Sequence, residues 1–212
     1  MKEIIKDLAG TPIGVKYLDL TLTVDDGRLA DELVKTHHYS HKATKNRFAS
    51  FVVNGDKGVI QLGYGIRPAL KSSVSDSITR TNFCEFDRMW LSDDLPKFSE
   101  TKIISMLICL IRNRWPDIHY LITYADGGMG KTGTIYRASN AIQAGKKKVD
   151  FYLLANGDRV HPVSMYHRHG TRAQAALEAI YPDIKHVTDG WQYRFCYPLT
   201  RQARKTIKEV KH

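Results

Sequence analysis

Apolar and polar positions alternate from Tyr17 to Val24 (YLDLTLTV), the period of a half-buried β-strand. The segment that follows, DDGRLADELVKTHH, changes period, with Leu29, Leu33 and Val34 at helical spacing. RFASFVV and GVIQLGYGI read as strands flanking NGDKG, whose Asn-Gly pair predicts a hairpin. LKSSVSDSITRTN (70–82) is rich in Ser and Thr and reads as a loop. FCEFDRMWL is the next strand and SDDLPKF the next loop. Ser99 then stands where it can cap a helix from Glu100 to about Trp115, which Pro116 stops. HYLITYA is a strand, and Thr134 to Ala144 reads as a helix. VDFYLLANG and WQYRFCYPL are late strands, with a helix over Thr171–Ile180 between them. Hairpins mixed with crossover helices predict an α/β architecture. One mixed, twisted sheet should carry helices on both faces, within a single domain spanning the 212 residues.

Composition changes this picture little, but charge changes it more. The chain is 42% hydrophobic and 25% charged, as ordinary globular proteins are. The opening MKEIIKDLAG lacks the apolar stretch of a signal peptide, and the longest apolar run, IISMLICLI at 103–111, is too short to span a bilayer. A cytoplasmic protein without a membrane partner is expected. Cys84, Cys109 and Cys196 are odd in number and far apart, which argues for free thiols over a disulfide framework or structural zinc. Against 22 acidic residues stand 32 Lys and Arg, a net charge of +10. Such a surplus favours a polyanionic partner, because each cation near a phosphate releases condensed counterions. The cations cluster in HKATKNR (41–47), GKKK (145–148), YHRHGTR (166–172) and the tail from RQARK to His212. Lys42, Lys45, Arg47, Lys146, Lys147, Lys148, Arg168 and Arg172 are the candidate nucleic-acid contacts, with Lys131 a further one.

LITYADGGMGKTGTIYRASN (121–140) contains a relaxed phosphate-loop pattern, Ala125 to Thr132, between an apolar run and a helix. A P-loop enzyme also needs a later apolar strand ending in Asp to hold magnesium. Here the later strand, VDFYLL, has Asp150 near its start and runs on into ANG. Glycines on both sides of Lys131-Thr132 weaken the helix that should begin there. The match is therefore a decoy. The residues on either side of it are of more interest: Asp126 ends the strand and Tyr136 lies on the helix. Ligands of mixed α/β sheets bind at such an end, where a carboxylate and a phenol can serve as base and acid. The same residues can equally cap the turn and pack in the core.

CEFDRMWLSDDLPKFSETKIISMLICLIRNRWP, followed by LITYADGGMGKTGTIYRASN, resembles the central signature of the phage Mom family of DNA-modification proteins. THHYSH, LANGDRVHPVSMYHRHGT and GWQYRFCYPLT resemble its flanking elements, so the likeness spans about residues 34–200. The resemblance implies an acetyltransferase-like (GNAT) fold. It also implies an enzyme that converts adenine in double-stranded DNA to N6-carbamoylmethyladenine, protecting phage DNA from host restriction. Carried over by motif, His38, Tyr39, Ser40, Arg88, Asp126 and Tyr136 are catalytic candidates, and Ser99 and Thr101 candidate cofactor contacts. Asp126 would accept the proton of the amine, with His38 the second choice. Tyr136 would protonate a leaving group, Arg88 would stabilise negative charge, and Tyr39 would stack on an extruded base.

Two departures qualify the resemblance. Where an acetyltransferase carries a Gly-rich loop for the coenzyme A pyrophosphate, this chain reads LPKFSET, without glycine and with Glu100 in the first helical turn. Secondly, simple acyl transfer leaves a carbonyl on the nitrogen, whereas a carbamoylmethyl product has a methylene there. The cofactor question thus stays open between an acyl-CoA-like donor and iron or another metal, for which His38 is the candidate ligand. An acyltransferase acting on a protein or small-molecule amine, or a DNA-binding protein without catalysis, are the other readings. No paired acidic motif suggests a two-metal nuclease.

Overall fold

The computed structural model describes residues 1–65, 70–127 and 130–208. In chain order the elements are β1 (Glu3–Lys6), β2 (Pro12–Tyr17), β3 (Leu20–Asp25), α1 (Arg28–His37), β4 (Arg47–Val53), β5 (Gly58–Gly63), α2 (Leu70–Ser73), β6 (Phe83–Leu91) and α3 (Ser99–Arg114). They continue with β7 (Tyr120–Asp126), α4 (Thr134–Ala138), β8 (Ile142–Leu153), β9 (Arg159–Val160), α5 (Pro162–His169), α6 (Gln174–Glu178), β10 (Lys185–Pro198) and α7 (Arg201–Thr206). The ten strands hydrogen-bond in the order β1-β2-β3-β4-β5-β6-β7-β10-β8-β9. The chain divides into two compact units: residues 1–125, 133–145 and 194 onward form the first, and 126–132 with 146–193 form the second.

In the first unit, each strand from β1 to β6 is antiparallel to the next, and β6 and β7 are parallel, joined by the crossover helix α3. The period-2 pattern of the strands sorts the core. Phe51, Val53, Ile60 and Leu62 pack with Ile103, Leu107 and Leu110 of α3, whereas Val52 and Val59 meet Ala30, Leu33 and Val34 of α1. Helices thus cover both faces, as the pattern of apolar positions implies.

Several segments differ from expectation, each for a physical reason. Residues 17–24 are not one strand: Tyr17 pairs with Leu20 across a turn in which Leu18 has a left-handed backbone (φ 55°). Asn54 braces that turn, accepting from Thr21 N (2.7 Å) and donating to Asp19 O (2.9 Å). The Ser/Thr-rich 70–82 stretch contains α2, and its Leu70, Val74 and Ile78 are buried against Phe83, Tyr120 and Ala203. Three apolar anchors outweigh its polar composition. α4 ends at Ala138 rather than Ala144, because Asn140 turns left-handed (φ 67°) and Ile142 joins β8. Ser99 lies inside α3 instead of capping it. The capping position is Phe98, also left-handed (φ 65°), and no side chain caps the helix.

In the second unit, the end of β8 pairs with β9 through Tyr152↔Val160 and Leu153↔Arg159. Its core is small: Tyr152, Val160, Met165, Leu177 and Ile184. Of the helix read over Thr171–Ile180 only α6 forms, and α5, just before it, was not anticipated. α5 begins at Pro162, with His161 accepting from Val163 N at 3.1 Å, and stops at Gly170 in a left-handed conformation. No helix among the described residues is long and apolar enough to cross a membrane. The three cysteines are free.

Candidate active site

The parallel pairing of β6 and β7 runs from Phe83↔Tyr120 to Phe86↔Thr123 and then stops, although both strands continue. Immediately beyond, β6 carries a bulge. Gln61 pairs with Arg88 and Leu62 with Phe86, so Asp87 is the extra residue of the bulge. Gly63 lies against it, and a Cβ there would sit 2.2 Å from Asp87 Oδ2. Two strands that part in this way expose backbone and side chains at a fork. Thr123, fully buried, closes its base by donating to Phe86 O at 3.1 Å.

Tyr136, on α4, packs beside Phe86 and Phe195. Burial raises its pKa above the ordinary phenol value, the Thr123 side chain opposing in part and the Tyr39 phenol adding to the rise. Tyr136 is therefore a protonated phenol at neutral pH, an acid rather than a base. Close by, Tyr197 lies 2.6 Å from Ser139 Oγ, and its pKa is also raised by burial.

His38, Tyr39 and Ser40 follow the last turn of α1. His38 is buried, while Tyr39 is exposed and lies against it, ring centroids 4.3 Å apart. Ser40 N donates to His38 Nδ1 at 3.2 Å, and Ser40 Oγ lies 2.8 Å from the same nitrogen. A ring nitrogen that accepts from a backbone N–H carries no proton, so the neutral ring carries its proton on Nε2. In that tautomer His38 offers a donor, suited to an oxygen, rather than a base. Arg88 anchors the following loop to β6: its Nε donates to Lys42 O (2.9 Å) and its Nη1 to Asp87 O (2.8 Å). Gln61, fully buried, holds the same loop by accepting from Thr44 N (2.8 Å) and donating to Asp31 (2.7 Å). Arg47 is ion-paired with Asp31. Lys42 and Lys45 are exposed.

A cleft of about 600 Å³ opens between the outer stripe of α3 (Thr101, Lys102, Ser105, Arg112), the end of α4, and the start of α7. Lys2, Lys102, Arg112, Arg201 and Arg204 line it, with Ser139 and Tyr197, and among the described residues no carboxylate does. Thr101 lies on this wall. Ser99 does not, for it is buried and its hydroxyl donates to Pro96 O at 2.6 Å.

Asp126 ends β7 and opens the second unit. Of the phosphate-loop-like stretch, residues 128–129 lie outside the described residues, as do 209–212 of the basic tail. What is described folds back on itself, Lys131 N donating to Asp126 O at 3.0 Å. Partial burial lowers the Lys131 pKa, and Asp126 opposes that shift. Lys146, Lys147, Lys148, Arg168 and Arg172 are all exposed. Among the described residues no three His, Cys, Asp or Glu side chains converge as a metal-ligand set. His161 caps α5, and His169 lies 3.1 Å from the Tyr181 hydroxyl.

The Mom protein family model matches residues 19–212. The chain belongs to this family. Over 211 residues it is 28% identical to Methylcarbamoylase mom of Escherichia phage Mu, covering 97% of this chain and 86% of that protein. Among solved structures, a probable GNAT-family acetyltransferase of Chromobacterium violaceum gives a TM-score of 0.48 at 10% identity, covering 92% of this chain and 89% of that one. The ribosomal-protein-S5-alanine acetyltransferase of Vibrio fischeri superposes with a TM-score of 0.51 at 9% identity, covering 89% and 98%. On this second superposition, the Mom-family chain has the acetyltransferase-like fold that its sequence resemblance implies.

Three residues of this candidate site in the Mom-family chain are not marked as such by the sequence: Thr123, Gln61 and Tyr197. Gln61 alone carried a signal, as one polar residue inside GVIQLG. Thr123 and Tyr197 sit in strands where Thr and Tyr are ordinary residues.

Proposed function

We propose that this chain is a DNA-modifying transferase that places a carbamoylmethyl group on the exocyclic amine of adenine in double-stranded DNA. Its donor is an anionic small molecule. The observation that carries the reading is the cation-lined cleft ending at Ser139 and Tyr197, neighbours of the protonated phenol of Tyr136. Five cations, with no carboxylate beside them among the described residues, suit a phosphorylated carrier. They supply from side chains what the glycine-free LPKFSET loop lacks. The Escherichia phage Mu relative, a methylcarbamoylase by name, supports transfer of a group of this elemental composition, and the net charge of +10 supports a polyanionic acceptor.

The roles follow from the chemistry. The N6 lone pair attacks the electrophilic carbon of the donor, and the bond from that carbon to the leaving group breaks with its electron pair. Tyr136 gives its proton to the leaving group, and Asp126 accepts the proton lost by the amine. His38, fixed by Ser40, and Arg88 donate to oxygen. Tyr39 stacks on the extruded adenine. A methylene on N6 requires that the attacked carbon be a CH₂, or that acyl transfer be followed by rearrangement. An acyl-CoA donor alone gives an amide.

Expression in a bacterium, followed by mass spectrometry of digested DNA, tests the proposal. The expected product is an adenine nucleoside heavier by one carbamoylmethyl group, lost in Asp126→Asn and Tyr136→Phe proteins that fold. Unmodified DNA together with acylated protein or polyamine would replace this reading with that of an ordinary acyltransferase.

A further inference from the structure

The second unit carries a surface that the reaction chemistry does not use. Trp191, on β10, is 37% exposed. The ammonium of Lys146 lies 4.9 Å from its ring centroid and that of Lys148 5.9 Å. Residues two apart on a strand share a face, so β8 directs both side chains to the indole and Lys147 to the opposite side. Among the described residues, none of the three lysines joins an ion pair. The surface also abuts the Asp126 turn. A Cβ on Gly127 would lie 2.5 Å from Trp191 O, so only glycine lets the turn pass so closely.

Two ammonium groups held side by side without a carboxylate repel each other. An indole relieves part of that repulsion through its π-face, and a polyanion relieves far more. An indole adds a second requirement. A fully paired duplex presents phosphates but hides its base faces, whereas a base out of the stack has a free π-face. We propose that Trp191, Lys146 and Lys148 form a nucleic-acid grip. The lysines hold backbone phosphates and the indole stacks on an unpaired base, beside the Asp126 turn. The inference rests on the DNA-modifying reading and names the part of the surface that holds the opened strand.

Binding of the full chain, without donor, to a duplex with one mismatched adenine and to its matched counterpart tests this. Circular dichroism checks that each variant folds. Lys146→Gln/Lys148→Gln should flatten the plot of log affinity against log salt by about 1.8, at about 0.9 for each phosphate no longer neutralised. Trp191→Ala should weaken binding of the mismatched duplex by about 5- to 100-fold and of the matched duplex far less, with Trp191→Phe retaining most of the affinity. Unchanged affinity and salt slope in both variants overturns the grip. Equal losses on matched and mismatched duplexes in Trp191→Ala also overturn it, since the indole would then only support the lysines. Tighter, equally sensitive binding of an acidic peptide overturns it in favour of a protein partner. The outcome is separable from the modification assay. If these losses occur while wild-type cells yield no modified nucleoside, the grip stands and the transferase reading falls.

Discussion

Phe98 is 74% exposed, yet its backbone is left-handed (φ 65°, ψ 22°) directly before α3. That conformation costs a non-glycine L-residue about 1–2 kcal/mol. Glycine would remove most of this strain, while the greater freedom of the unfolded chain would take back about 0.5–1 kcal/mol. Phe98→Gly should therefore raise stability by about 0.5–1 kcal/mol in denaturant titration. A destabilised variant would show that the exposed ring makes contacts worth more than the strain. At this scale the sequence offers candidates where residues stand in motifs, as for His38, Tyr39, Ser40 and Tyr136. It is unreadable where role depends on tautomer or bulge. Nothing in THHYSH tells that a backbone N–H points at His38 Nδ1, and nothing in EFDRM tells that Asp87 is the bulged residue.

The fork between β6 and β7 is an element-scale device, and its stability turns on one hydroxyl. Thr123 Oγ1 donates to Phe86 O. Thr123→Val keeps the shape of the side chain but removes the donor to that carbonyl, a loss of about 1–3 kcal/mol. The expected result is a destabilised but folded protein whose modification rate falls more than that of a protein equally destabilised elsewhere, for example Leu33→Ala under α1. Equal rates at equal stability would mean that Thr123 serves the fold alone. Strands and helices with strong periodicity were legible: β6, α1 and the β4–β5 hairpin lie where the apolar pattern places them. Short elements were not. α2 and α4 span four and five residues, too few for a 3.6-residue period to stand out. The division of β2 from β3 rests on Leu18 adopting a backbone that its residue type disfavours.

For the molecule as a whole, the titratable groups whose burial matters most all shift in one direction. Burial raises the pKa of Cys84 and Cys196 well above the thiol range, and it raises Tyr136 and Tyr197 above the phenol range. A folded-state pKa above the unfolded value means that the folded protein keeps its proton while the unfolded chain gives it up. The resulting stability is whole below the unfolded pKa and is lost as pH rises toward the folded one. Unfolded thiols titrate near 8.5 and phenols near 10, so loss begins at about pH 8.5 with the two cysteines and steepens at about pH 10 with the tyrosines. Each fully titrated thiol contributes about 1.4 kcal/mol per pH unit to the slope. Urea unfolding at intervals from pH 7 to 10 should show a plateau followed by a fall. The Cys84→Ala/Cys196→Ala protein should be less stable at pH 7, because both side chains are core, but should lack the fall below about pH 10. A wild-type curve still flat at pH 10 would mean that the thiols are reached by water in the native state. A double variant that falls in parallel with wild type would assign the alkaline loss to other groups.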